Sequence, residues 1–98
     1  MAIVKVSKKA EDDIVEIAEY TENNWGIDKR NQYLDEIDQR FHLLAENPAY
    51  PAVKDISHIK KGCFSLLINK HIIIFRKHSY GVRIVRVLGQ LMNLDLHL

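Results

Sequence analysis

Cysteine occurs once in the 98 residues, at Cys63. A disulfide within the chain is therefore impossible, and a cysteine-based zinc site has too few ligands. Proline occurs twice and glycine four times, which leaves no material for a proline-rich linker or a glycine-rich phosphate loop. No apolar run is long enough to cross a bilayer, and Lys5 interrupts the first apolar stretch before a secretory core can develop. The cytoplasm is the expected compartment. The five histidines, His42, His58, His71, His78 and His97, show neither H-x-x-x-H nor H-x-H spacing, so no metal site is expected. Ser65 and Ser79 lack the G-x-S-x-G setting of a nucleophile. Asp55 and Asp95 are the only carboxylates of the second half, which argues against a two-carboxylate hydrolase. No cofactor is expected.

What is present fits one folded domain spanning residues 1–98. The chain is 47% hydrophobic and 28% charged, a globular balance, and at this length most apolar residues are needed for the core. The net charge of +1 conceals a division: residues 1–50 carry 6 Lys+Arg against 11 Asp+Glu, and residues 51–98 carry 8 against 2. An acidic face and a basic face are expected if the halves lie on different sides of the fold.

Residues 1–6 read as a short strand with β-branched content. Ser7 is a plausible N-cap. Ala10, Ile14, Ile17, Ala18, Thr21 and Trp25 then form a helical stripe that ends at Gly26, with Asp12, Asp13 and Glu16 on a solvated face. Asp28 is the expected cap of a second helix carrying Tyr33, Leu34, Ile37, Phe41, Leu44 and Ala45 on one side. His42 reads as an edge-of-core residue, and Asn47-Pro48 stops the helix. Residues 48–62 read as a connecting loop. Strands follow over 63–68, 71–77 and 82–88, with turns at Asn69-Lys70 and Tyr80-Gly81. The unbroken Ile72-Ile73-Ile74-Phe75 run points to a central strand covered on both faces. The period of two puts Arg83 and Arg86 on opposite faces. The tail can form a helical turn carrying Leu91, Leu94 and Leu98. The order β-α-α-β-β-β specifies an α+β fold: an N-terminal strand and a helical hairpin packed on a mainly antiparallel sheet.

The candidate chemistry is anion binding. Lys60, Lys61, Lys70, Arg76, Lys77, Arg83 and Arg86 crowd the second half, suited to RNA, DNA or an acidic protein segment. Lys70 and Lys77, beside turns, read as strand-end lysines that discourage aggregation. Arg83 and Arg86 interrupt an apolar strand and need partners.

The residues in sequence resemble the RelE/ParE toxin superfamily, specifically its ParE branch. The resemblance rests on Ala10-Glu11-Asp12-Asp13-Ile14, Ile17-Ala18-Glu19-Tyr20, Trp25-Gly26, Tyr33-Leu34, Phe41 to Pro48, Gly62, His71 to Arg76, Val82 to Leu88 and His97-Leu98. It implies a compact toxin neutralised by a cognate ParD-like antitoxin. Members of the ParE branch poison DNA gyrase by stabilising its cleaved DNA complex and are not known as nucleases. The RelE branch cuts messenger RNA on the ribosome, often with a tyrosine near the C-terminus. No tyrosine follows Tyr80 and no acid–base pair stands out, which favours the gyrase-binding, non-enzymatic reading. Cys63-Phe64 stands where an arginine commonly follows the loop glycine, and Gly89 stands where a histidine commonly follows the last strand. A non-toxic member that retains antitoxin binding is thus a further alternative. The residues expected to touch antitoxin or target are Lys60, Lys61, His71, Phe75, Arg76, Arg83 and Arg86. An amphipathic antitoxin helix is expected near the hairpin, its acids pairing with Arg76, Arg83 or Arg86. A homodimer or a hetero-oligomer with the antitoxin fits the same reading.

Overall fold

A computed structural model describes residues 2–98 and shows the expected α+β order. Strand β1 (Ile3–Val6) leads through Ser7 into α1 (Lys8–Trp25), and α2 (Ile27–Glu46) follows at once. Next come β2 (Lys54–Asp55), β3 (Phe64–Ile68), β4 (His71–His78), β5 (Gly81–Gly89) and a short α3 (Leu94–His97). The five strands form one sheet in the order β1-β5-β4-β3-β2. All neighbours are antiparallel except β1 and β5, which run parallel.

The alternation of β4 divides its side chains between two layers, and β4 lies at the centre of the sheet as its apolar run requires. Ile73 and Phe75 face the hairpin, where they join Ala10, Ile17, Ile37, Phe41 and Leu44 in the main core. Ile72 and Ile74 face the other way, into a smaller cluster with Ile56, Cys63, Leu88, Leu94 and Leu98. The loop after β2 and the C-terminal segment thus cover part of the outer face. Full burial of a ring such as Phe75 contributes about 1.5–3 kcal/mol.

Several expectations change. The second helix begins at Ile27, capped by the Gly26 backbone and not by Asp28. Residues 48–62 contain the two-residue β2 inside what reads as loop. Within the tail the expected helical turn forms over Leu94–His97; Leu94 and Leu98 pack on the sheet, while Leu91 is 96% exposed. The largest change is a β-bulge. Ile74 pairs with Arg86 and Phe75 with Ile84, leaving Val85 without a partner on β4. The extra residue resets the alternation. Arg83, opposite Arg76, and Arg86, opposite Ile74, therefore start from the same outer face rather than from opposite faces.

Candidate partner-binding surfaces

Where β1 stops, Ser7 and Asp13 continue the edge of β5. The Ser7 N–H donates to the Ile84 carbonyl (2.9 Å) and its hydroxyl donates to the Val85 carbonyl (2.7 Å). The same oxygen accepts from the Ala10 N–H and caps α1. One turn on, Asp13 Oδ2 accepts from the Val87 N–H at 3.0 Å and from Arg86 Nε at 2.7 Å. Asp13 Oδ1 takes Arg86 Nη2 at 2.9 Å. Arg86 Nη1 donates to the His97 carbonyl at 3.1 Å and so also ties down the tail. This bidentate pair is largely buried, with 17% and 11% of the Arg86 and Asp13 side chains exposed. Bonding to Asp13 holds the Arg86 guanidinium pKa above its usual value. Asp13 is thus a structural acid rather than part of a solvated face. Arg86 is satisfied within the chain and is not free to receive an antitoxin carboxylate.

The other expected contact residues separate into three groups. Phe75 has no exposed surface; it is a core ring beneath the hairpin and not a surface contact. Lys60 and Lys61 are exposed on the loop over the outer face. Arg76 reaches that loop, Nη1 donating to the Lys61 carbonyl at 2.8 Å. Gly62 makes this possible: its φ is +77°, and a Cβ there would lie 2.7 Å from the Arg76 nitrogen. Arg83 stands exposed beside Arg76. His71 lies at the far end of β4, away from these cations.

His71 belongs instead to a hollow of about 710 Å³ at the tip of the hairpin, shared with Tyr20, Trp25, Tyr33, Glu36 and Lys70. The Tyr33 hydroxyl lies 2.7 Å from His71 Nδ1 and 3.2 Å from the Ile68 carbonyl. Burial lowers the His71 pKa and raises that of Tyr33. Trp25, expected in the helical stripe, is 69% exposed, and Tyr20 is 66% exposed. Trp25 is the last residue of α1, past the end of the sheet that would cover it.

A second groove, of about 410 Å³, runs beside β1 over Val4, Val6, Ile14 and Phe41, rimmed by Glu11, Asp38 and His42. His42 is exposed and lies 3.5 Å from Asp38. It stands at the rim of this groove at the edge of the core, with 63% of its side chain exposed. Among the described residues no group of three His, Cys, Asp or Glu side chains is placed to hold a metal. No helix among them is long and apolar enough to cross a membrane.

Sequence reading missed two partners. Lys5 joins the outer-face cations only because β1 pairs in parallel with β5, a pairing that no local spacing encodes. Asp13 was concealed among neighbouring acids. A lone strand arginine in need of a buried carboxylate was the available signal.

Comparison with known proteins accounts for nearly the whole chain. Residues 4–94 match the family model described as ParE toxin of type II toxin-antitoxin system, parDE. Toxin ParE1 of Caulobacter vibrioides is 29% identical over 94 residues, covering 96% of this chain and 95% of the relative. Toxin ParE1 of Mycobacterium tuberculosis is 32% identical over 94 residues, covering 95% and 94%. A solved structure described as a chromosomal ParDE TA system from P. aeruginosa shares the fold, with a TM-score of 0.75 at 19% identity over 91% of this chain and 96% of that one. Sequence match and fold agree from β1 to the tail, and the chain belongs to the ParE toxin family of parDE type II toxin–antitoxin systems.

Proposed function

We propose that this toxin acts by binding: it poisons DNA gyrase and is held inactive by a cognate ParD-like antitoxin. The observation that carries the binding reading is the pair of apolar hollows flanking the hairpin, with Tyr20 and Trp25 standing exposed at one of them. Isolated large aromatics rimmed by polar groups are the usual anchors of protein interfaces. The groove over Val4, Val6, Ile14 and Phe41 suits the apolar stripe of an amphipathic antitoxin helix. The free edge of β1 lies beside it and can accept a strand. Gyrase as the target rests on family membership.

The test is a supercoiling and DNA-cleavage assay with purified gyrase, with and without antitoxin. Trapped cleaved DNA that antitoxin reverses supports the reading. Replacing Trp25 by alanine should weaken binding to gyrase or antitoxin while leaving stability within about 0.5 kcal/mol, since the residue is exposed. Folded toxin without effect on gyrase at micromolar concentration would overturn the target. Cleavage of ribosome-bound messenger RNA by the same preparation would replace binding with catalysis.

A further inference from the structure

Strand pairing sets three cations in one line across the sheet. Lys5 on β1 lies opposite Arg83 on β5, and Arg83 lies opposite Arg76 on β4. Adjacent strands are separated by about 4.8 Å, so the row spans about 10 Å. Like charges placed directly opposite destabilise a sheet. None of the three is ion-paired among the described residues. Two of them are nevertheless held in position. Arg76 is anchored on the Lys61 carbonyl in a space kept clear by Gly62, and Lys5 Nζ sits 4.6 Å over the Tyr80 ring. The row is therefore an arranged concentration of positive charge to which no carboxylate of the described residues is paired.

We infer that this row is a docking surface for the phosphate backbone of duplex DNA. Each strand of a duplex presents one phosphate for about every 3.4 Å of axis, and three long cationic side chains fanned out from this row can each reach one phosphate. Single-stranded nucleic acid is a poorer fit because it relies on aromatic platforms for its bases. Tyr80 offers no such platform: His78 stacks on it at 4.9 Å and 9°, and Lys5 also occupies the ring. An acidic peptide is poorer too. A peptide added to a sheet as a strand lies along an edge, where main-chain hydrogen bonds hold it, whereas this row crosses three strands over their face, so an acidic peptide would meet it through side-chain charge alone. Contacts to phosphate carry no sequence information directly, so binding through this row to the backbone is independent of sequence. With a net charge of +1, the attraction comes from this local arrangement and not from the protein as a whole.

The inference does not depend on gyrase being the target, because DNA binding is measured with no topoisomerase present. The assay is fluorescence anisotropy of a labelled duplex, with the fold of each variant verified by circular dichroism. For three phosphate contacts, log K should fall with log salt at a slope of about −2.7, roughly a 40-fold loss between 50 and 200 mM. Arg83→Ala should reduce the slope to about −1.8, while Lys9→Ala, on the helical hairpin, should leave it unchanged. Four results would each overturn the proposal: no binding at the low-salt end by folded protein, an unaltered slope in Arg83→Ala, tighter binding of a single strand than of the duplex, or tighter binding of a Glu-rich peptide at the same salt. The last would reassign the row to a protein partner.

Discussion

Replacing Asp13 by alanine should be among the most damaging single changes in this domain, although Asp13 looks in sequence like one surface acid among several. The carboxylate accepts three hydrogen bonds, two from Arg86 and one from the Val87 N–H. Its removal leaves a guanidinium that is 17% exposed without a counter-charge and a strand amide without an acceptor. Breaking a buried ion pair by deleting one partner costs about 3–5 kcal/mol. The residual exposure of Arg86 places this case near the lower limit, and the orphaned amide adds about 1 kcal/mol, giving a loss of about 4 kcal/mol. For a domain of this size each kcal/mol moves Tm by about 4–8 °C, so a drop of at least about 15 °C is expected. Thermal or urea unfolding followed by circular dichroism reads it directly. The pair must also be coupled. Asp13→Ala with Arg86→Met should be clearly less destabilised than the two single variants added together, because the double variant buries no unpaired charge. A loss within 0.5 kcal/mol or so for Asp13→Ala, or strict additivity, would refute the assignment of Asp13 as the buried partner that closes the edge of β5.

Gly81→Ala should sever the parallel pairing of β1. At φ +144° an added Cβ would land on the Ile3 carbonyl and lie 2.7 Å from the Ile3 nitrogen. Backbone strain and overpacking together should cost about 3 kcal/mol, and amide exchange should show β1 losing protection first. Titration of His71 should appear as pH-dependent stability. Burial lowers its pKa in the fold below the ordinary 6.5, so the unfolded chain takes up the proton more readily. The contribution is complete above about pH 6.5 and is lost as pH falls through the lowered folded value. A plot of Tm from pH 7.5 to 5 should therefore slope down toward acid, and His71→Asn should flatten it. Equal slopes in the two proteins would show that His71 is not the group responsible.

Local spacing revealed the layering of this fold and every element but the two-residue β2, because hydrophobic periodicity is imposed by burial and both residues of β2 are exposed. The Ile72–Phe75 run marked a central strand, and β4 is the third of five strands. Asn47-Pro48 ended α2 where a residue before proline must leave the helix. What stayed hidden depends on contacts distant in sequence. A bulge at Val85 has no composition signal, and it alone overturned the period-two placement of Arg83 and Arg86. Trp25 looked like a core residue because its position in the stripe is right; the sheet below it simply ends. The site was legible as a class of residue, basic and on the sheet, but not as an arrangement. Arg83 belongs to an open cation row that also includes Lys5, whereas Arg86 belongs to the scaffold.

The parallel pairing of β1 with β5 has a consequence for how the chain is made. Ile3 pairs with Gly81, and the Ser7 hydroxyl bonds Val85, 78 residues away. The hairpin of α1 and α2 can assemble from its own neighbours, but β1 must wait for β5. Such distant closure is slow, because chain entropy is lost before any contact compensates for it. At translation rates of about 5–20 residues per second, the interval between β1 and β5 leaves a nascent chain with an unpaired leading strand and Asp13 still without its arginine. The toxin therefore acquires its edge, its buried ion pair and its cation row together, once β5 can pair with β1, and a chain interrupted before β5 has none of the three.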